Sequence, residues 1–540
     1  MRVTVGVNTS RDAFKWVHLG ALALAVIMLP WSTAFLSIAQ MLLAANWLLE
    51  GLVRKDLGGR FKRAFTSLPV LVFLSFLALN GLGLLWTEDM EWGLDLCRIL
   101  APVVVFGVIL GGSPRLRENE LRTILLLGAW SVVASTFACV FLAPPDADYR
   151  ALSHFISHIR LALLLAFAAV VFGVYYTQAS IIWKGLHIAA AIWCWTFIGK
   201  LGSLQASAML VIILAVLLWH EAARWSLRWR LATRATLVLV PTLALGWLAV
   251  EITARYRLPD QTLDAKAEVT AGGERYDHDL TNPQTENGQH VWTYVAWGEL
   301  ARTWESRSQT PFNANDRHGD PLYGTLARYL TSKGLRKDSV AVMSLTVAEV
   351  TAIEEGTATV PGQGSRLRAR FEEVMMEWER YRAYGDANGH SVTMRMEFLK
   401  AGWAIAKDHW VVGVGTGDTR PAFAAQYERM HSTLLPEWRL RAHNEYLTLF
   451  ISFGVFGLLW SLFSWWWPAW KVGAWRDPLF IAWAILFFGS CLTDDTVETQ
   501  AGATFFALYY AMLVFAAPQR RDVLNEVPPT TTAHDAVRSV

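Results

Sequence analysis

Between Arg439 and Tyr446 the chain reads Arg-Leu-Arg-Ala-His-Asn-Glu-Tyr, then runs straight into an apolar stretch that holds Gly454 and Gly457. An imidazole titrates near neutrality, so His443 could take a proton from a hydroxyl nucleophile. On a helix, His443, Tyr446 and Leu447 share one face, which sets the imidazole beside a phenol at the mouth of a helix bundle. The same residues also fit a helix start anchored at a membrane interface by His, Tyr and Arg. Arg441 fits both readings, as an assisting charge or as an interfacial anchor.

Other groupings carry less. Asp494, Asp495 and Glu498 cluster between two apolar runs, where they could orient a hydroxyl, pair with an arginine, or lie in a solvated loop. His154 and His158 are spaced i, i+4 and could face one metal, but no third ligand is near, so hydrogen bonding to a substrate is the preferred use of His158 and no metal is expected. Gly413-x-Gly415-x-Gly417 looks like a phosphate loop, yet no strand and helix frame it, so dinucleotide binding is rejected. Arg98 follows Asp95 by three residues inside an apolar run, the spacing of an intrahelical ion pair. All four cysteines (Cys97, Cys139, Cys194, Cys491) lie in apolar runs and read as small buried side chains.

The elements that position these groups follow from composition. The chain has 540 residues, 54% hydrophobic and 17% charged, with a mean hydropathy of +0.29, whereas soluble domains carry about 25% charged residues. This is the composition of a polytopic membrane protein. The balance of 48 basic and 46 acidic residues gives no overall attraction to a polyanion such as nucleic acid. Apolar runs predict about twelve spanning helices: two within Val17–Leu49 separated at Pro30-Trp31-Ser32, then about 67–86, 94–112, 122–143, 156–176, 183–199, 204–219 and 235–252, and finally about 444–468, 477–492 and 501–517. Lys and Arg fall almost wholly on one side, about 21 against about three in the short loops, which predicts cytoplasmic termini.

The interval from about 253 to 442 must then lie on the outer side. Its early part reads as loop, with Asn282-Pro283, Asn287-Gly288 and Pro311-Phe312-Asn313; helices are expected at Val295–Ser306, Tyr323–Ser332, Ser365–Tyr384 and about Val392–Asp408, the last capped by Ser391. The expected organisation is an N-terminal bundle of about nine helices over 1–252, one large, mostly helical external domain over 253–442, about three helices over 443–517, and a cytoplasmic, disordered tail over 518–540.

His443-Asn444, nine residues, Gly454, two residues, Gly457 is the signature spacing of the bacterial O-antigen ligase and O-antigen polymerase superfamily, which this chain resembles. Arg395 to Trp403, Asp408-His409-Trp410 and Gly413 to Asp418 look like that family's arginine-bearing helix and glycine-rich turn. The resemblance is strongest over 391–457 and diffuse elsewhere. It implies an all-α fold like that of C-type glycosyltransferases, in the inner membrane with the site facing the periplasm. It also implies an inverting, metal-independent transferase, without a cofactor, that moves a glycan from undecaprenyl diphosphate to lipid A core or another glycan acceptor.

Under that resemblance His443 is the catalytic base, while Arg395 and Arg160 hold the diphosphate, guanidinium forks being suited to phosphate oxygens in a site of reduced dielectric. Arg160 sits at the outer end of an otherwise apolar helix and could also simply snorkel to lipid phosphates. Arg441, Asn444, Tyr446, His158, Asp494 and Asp495 are the expected substrate contacts. The family's Ser-Arg-Gly-like start of the eighth helix is replaced here by Gly202-Ser203-Leu204-Gln205, so Lys200 or another cation must compensate. An O-antigen ligase is favoured over a polymerase or a protein O-oligosaccharyltransferase because a large external domain suits a bulky acceptor. A polysaccharide flippase would instead place ionisable groups near the bilayer midplane.

Overall fold

The computed structural model describes residues 6–144, 152–256, 268–282, 284–286, 289–317, 319–360, 374, 377–378, 381–382, 385, 387–389 and 391–518. Among these, nine helices are long and apolar enough to cross a membrane, and three further apolar helices are shorter: Ala13–Met28, Pro478–Ser490 and Gln500–Ala516. The protein is thus an all-α polytopic membrane protein, as its composition predicted, because a helix satisfies its backbone polar groups internally where no water is present.

Local chemistry sets the breaks. The interruption at Pro30-Trp31-Ser32 separates Gly6–Met28 from Thr33–Val53, and the Ser32 hydroxyl accepts the Phe35 N–H at 3.4 Å. The run expected as one helix over 94–112 begins earlier and is two: Met90–Ile99 and Ala101–Gly112, the second opening with Pro102, which lacks an N–H and is tolerated in a first turn. A short amphipathic helix, Leu57–Thr66, lies between the Thr33–Val53 and Leu68–Gly83 helices. Its Arg60 is buried, pairs with Glu50 at 2.7 Å and donates to the Trp47 carbonyl at 3.0 Å.

By internal packing the chain forms two compact units, Met1–Trp225 with Asn388–Val540, and Ser226–Ala387. In the first, N-terminal and C-terminal helices share one core. Phe76 of the Leu68–Gly83 helix meets Trp465 of the Glu445–Val472 helix at 5.1 Å, Trp465 meets Phe487 at 5.2 Å, and Phe487 stacks on Phe506 at 4.6 Å. Lipid gives helices no hydrophobic reason to associate, so such contact rests on close packing. Ser461 and Ser464, both fully buried, let the helix surfaces approach and return their hydroxyls to their own backbone. Residues 388–442, grouped with the external segment by their polarity, pack in this unit, and the helix Ser391–Asp408 begins on Ser391 itself.

The second unit holds the helix Leu227–Tyr256 and a small mixed domain. Within the segment expected as loop, Thr285–Glu286 and Gln289–His290 pair antiparallel, the only sheet among the described residues. Helices Trp297–Arg307, Leu322–Ser332, Ser339–Met343 and Val347–Glu354 enclose Leu300, Trp304, Leu326, Tyr329, Val342 and Ile353. The helix expected at Ser365–Tyr384 lies largely outside the described residues.

Candidate active site

The helix Glu445–Val472 starts with a side-chain cap. The Asn444 amide oxygen accepts the Leu447 N–H at 2.9 Å while its NH2 group donates to the Leu492 carbonyl at 3.0 Å, and the Glu445 N–H donates to the Cys491 carbonyl at 2.9 Å. Asn444 thereby ties the helix start to the turn 491–498. His443 lies just outside the helix with φ +46°, a left-handed conformation that costs a non-glycine residue about 1 kcal/mol or more. The sequence expectation of a common helical face for His443 and Tyr446 is therefore corrected. The cap at Asn444 starts the helix only after His443, and the Tyr446 hydroxyl turns instead to the Phe488 carbonyl at 2.7 Å.

Freed from the helix, the imidazole faces a carboxylate. His443 Nδ1 lies 3.9 Å from Asp494 Oδ1, and the other carboxylate oxygen, Oδ2, accepts Arg160 Nη2 at 3.0 Å. The ring is 37% exposed, whereas Asp494 and Arg160 are 14% and 16% exposed, so a buried ion pair backs an accessible imidazole. Burial alone would raise the Asp494 carboxyl, but the His443 ring and the Arg160 guanidinium beside it outweigh that effect and hold it below the usual carboxylate range. The Arg160 Nε has no partner among the described residues. Its helix, His158–Tyr175, opens on the half-buried His158.

Arg441 pairs with Glu498 and, at 3.8 Å, with Asp495, whose other oxygen accepts the Thr448 hydroxyl at 2.9 Å. Beneath them Glu445 is buried and accepts the Val497 N–H at 3.1 Å, lining a mixed cleft in which Asn80, Thr448 and Ser452 alternate with Phe76, Leu96 and Leu449. Arg395 lies exposed on the Ser391–Asp408 helix, one turn before Phe398, whose ring centroid is 5.8 Å from that of His443. Arg98 does pair with Asp95, at 2.6 Å.

The glycines of the signature do a different job. Gly454 breaks its helix with φ +65° and ψ −171°, a backbone only glycine adopts readily. The break releases the carbonyls of Ile451 and Ser452, which accept the N–H groups of Val414 and Gly415 at 2.8 and 2.9 Å; in return the Val455 N–H donates to the Trp410 carbonyl at 2.8 Å. A Cβ at Gly413 would sit 2.3 Å from the backbone of Ser452 and Phe453, and one at Gly454 2.1 Å from the Val411 carbonyl oxygen. Asp418 fastens the far end, accepting the Glu88 and Asp89 N–H groups at 2.8 and 2.7 Å. These backbone donors are spent on protein, which is why the glycine-rich turn is no phosphate cradle.

Residues 339–462 match the model of a family described as O-antigen ligase. That stretch carries the O-antigen ligase family domain. It contains His443, Asn444, Arg395, Arg441 and both signature glycines, whereas Arg160, Asp494, Asp495 and Glu498 come from elsewhere in the chain. No curated protein matches the sequence.

Sequence reasoning missed Trp92, Phe398 and Arg420. Arg420 Cζ lies 3.4 Å from the Trp92 ring centroid and Arg441 Cζ lies 6.0 Å from it. Two guanidinium groups thus border one indole beside the imidazole's loop. Neither the spacing of Arg420 nor that of Trp92, 328 positions apart in the chain, signals the contact.

Proposed function

We propose that this protein is an inverting glycosyltransferase of the inner membrane, its site facing the periplasm, that moves a glycan from undecaprenyl diphosphate to lipid A core, an O-antigen ligase. One observation carries the reading: within the matched domain, an accessible His443 is held off its helix against a buried carboxylate, Asp494, that is itself anchored by Arg160.

With Nδ1 turned toward Asp494, Nε2 is the nitrogen left to take the proton of the acceptor hydroxyl, and the carboxylate stabilises the imidazolium that forms. The acceptor oxygen bonds to the anomeric carbon as the bond from that carbon to the diphosphate oxygen breaks, which inverts configuration. The leaving group carries away negative charge, and guanidinium groups meet it: Arg395, exposed on the helix whose Phe398 touches the His443 ring, and the free side of Arg160. Because the donor linkage already holds the required free energy, the step needs neither nucleotide nor metal.

Deletion in the native host tests the reading. Free lipid A core together with accumulated lipid-linked polymer is expected, and complementation with His443→Ala restores nothing. A core bearing a single repeat would make the protein a polymerase, and unaltered surface polysaccharide would remove both assignments.

A further inference from the structure

Arg420 stands out as a cation with no ion-pair partner among the described residues. It is exposed, at the second position of the Thr419–Arg429 helix, with its guanidinium carbon 3.4 Å from the Trp92 centroid. The carboxylates around it are committed elsewhere. Asp89 accepts the Trp92 N–H at 3.0 Å, Asp95 pairs with Arg98 at 2.6 Å, and both oxygens of Asp418 take backbone N–H groups. Among the described residues no carboxylate pairs with Arg420, while the guanidinium of Arg441 shares its indole. Partial desolvation and the neighbouring Arg441 charge hold the Arg420 guanidinium below its ordinary range, against the opposing pull of Asp89 and Asp95. Beside the ring face that Arg420 covers, the buried indole N–H of Trp92 has no partner among the described residues and is a further donor open to a ligand.

Stacking fixes a guanidinium in a plane and leaves its edge of N–H donors free, and such a fork matches the oxygens of a phosphate. Cations of one sign kept close together, with nearby carboxylates spent on other bonds, form a site that an anion completes. We propose that Arg420, seated on Trp92 beside Arg441, is a phosphate-binding residue of this site, receiving a phosphate group of one of the two lipid-borne substrates. The proposal rests on the transferase reading for the identity of those substrates, either the donor diphosphate or a phosphate on the acceptor sugar. The binding of a phosphate at Arg420 does not depend on which substrate supplies it.

The full chain in lipid nanodiscs is titrated with two probes, farnesyl diphosphate for the donor and the deacylated, bis-phosphorylated glucosamine disaccharide for the acceptor. Arg420→Gln is expected to weaken one probe by about tenfold, the loss of a charge-assisted contact, with an unchanged Tm because the side chain is exposed. Arg420→Lys falls between, keeping charge without the fork; Trp92→Leu weakens the same probe, and Trp92→Phe, which keeps a ring face but loses the N–H, weakens it less. Selective loss of farnesyl diphosphate assigns the donor, and selective loss of the disaccharide assigns the acceptor. Unchanged binding of both probes by Arg420→Gln overturns the proposal. The transferase reading is judged separately by His443→Ala, so either idea can fail while the other stands.

Discussion

Two regions of this molecule hold parts of one sequence signature and treat polar groups in opposite ways. At the glycine interlock, where Gly413–Asp418 meets the break at Gly454, the Ile451 and Ser452 carbonyls find N–H groups across it and no space is left for a Cβ at Gly413 or Gly454. At the mouth, around His443 and the turn 491–498, charges are abundant and one member is left accessible: an exposed imidazole backed by a buried Asp494–Arg160 pair. A closed hydrogen-bond set makes a rigid frame. An incompletely answered set of charges makes a site. The difference shows that the signature's histidine and glycines are tied together not by shared chemistry but because the interlock fixes the helix on whose first turn the histidine hangs.

The comparison predicts different kinds of damage. The largest effect belongs to Gly454→Val, which must push a branched side chain into the Val411 carbonyl from a backbone that favours glycine. The expected outcome is loss of folded, monodisperse protein in size-exclusion chromatography; a well-folded variant would show that the interlock is dispensable. His443 should behave conversely. His443→Gly is expected to lower transfer by about 10²–10⁴-fold, the usual contribution of a general base, and yet to raise stability by about 1 kcal/mol by relieving the left-handed strain. Denaturation monitored beside a transfer assay checks both signs, and a variant both inactive and unstable would mean that the imidazole is part of the frame.

Asp494→Asn probes the support behind the imidazole. It removes the charge that faces His443 and pairs with Arg160, so transfer should fall by about tenfold or more, short of the loss in His443→Gly. The pH dependence has a definite sign. Because the Asp494 carboxyl is held below its ordinary range, its share of stability is present above the unfolded pKa and is lost as pH falls through the lower, folded one. Wild type should therefore lose stability with acidification more steeply than Asp494→Asn across the acidic carboxylate range, as measured by Tm against pH. Parallel curves would remove the pairing.

Much of this was legible in the chain. Apolar runs announced the nine described helices long enough to cross a membrane and the three shorter apolar ones, and His443 drew attention by type and position. What sequence could not supply was the backbone. Nothing in Ala-His-Asn-Glu says that the helix starts after the histidine rather than before it, since Asn444 as a cap depends on Leu492 and Cys491 being across from it. The glycine-rich turn read as loop chemistry, and its partner proved to be a helix break 40 residues on. Arg420 over Trp92 is a contact between distant elements with no periodicity behind it.

Asn444 stands where the two regions join, and its substitution gives the smallest and most discriminating effect. The side chain serves two bonds, one capping the helix at Leu447 and one reaching the Leu492 carbonyl. Asn444→Ala should cost about 1–2 kcal/mol, the ordinary value of a lost cap plus one hydrogen bond. Asn444→Ser keeps the cap and should lose less. Asn444→Asp keeps the acceptor and gains the favour of a helix N-terminus for negative charge, but it turns a carboxylate toward the Leu492 carbonyl and adds charge beside Asp494. Its stability should therefore lie below that of Asn444→Ser. If Asn444 acts by holding His443 in place, transfer across the three variants should follow their Tm values. If instead the amide touches substrate, as the family resemblance implies, Asn444→Ser would be as inactive as Asn444→Ala despite its better stability, and the residue would belong to the mouth rather than to the frame.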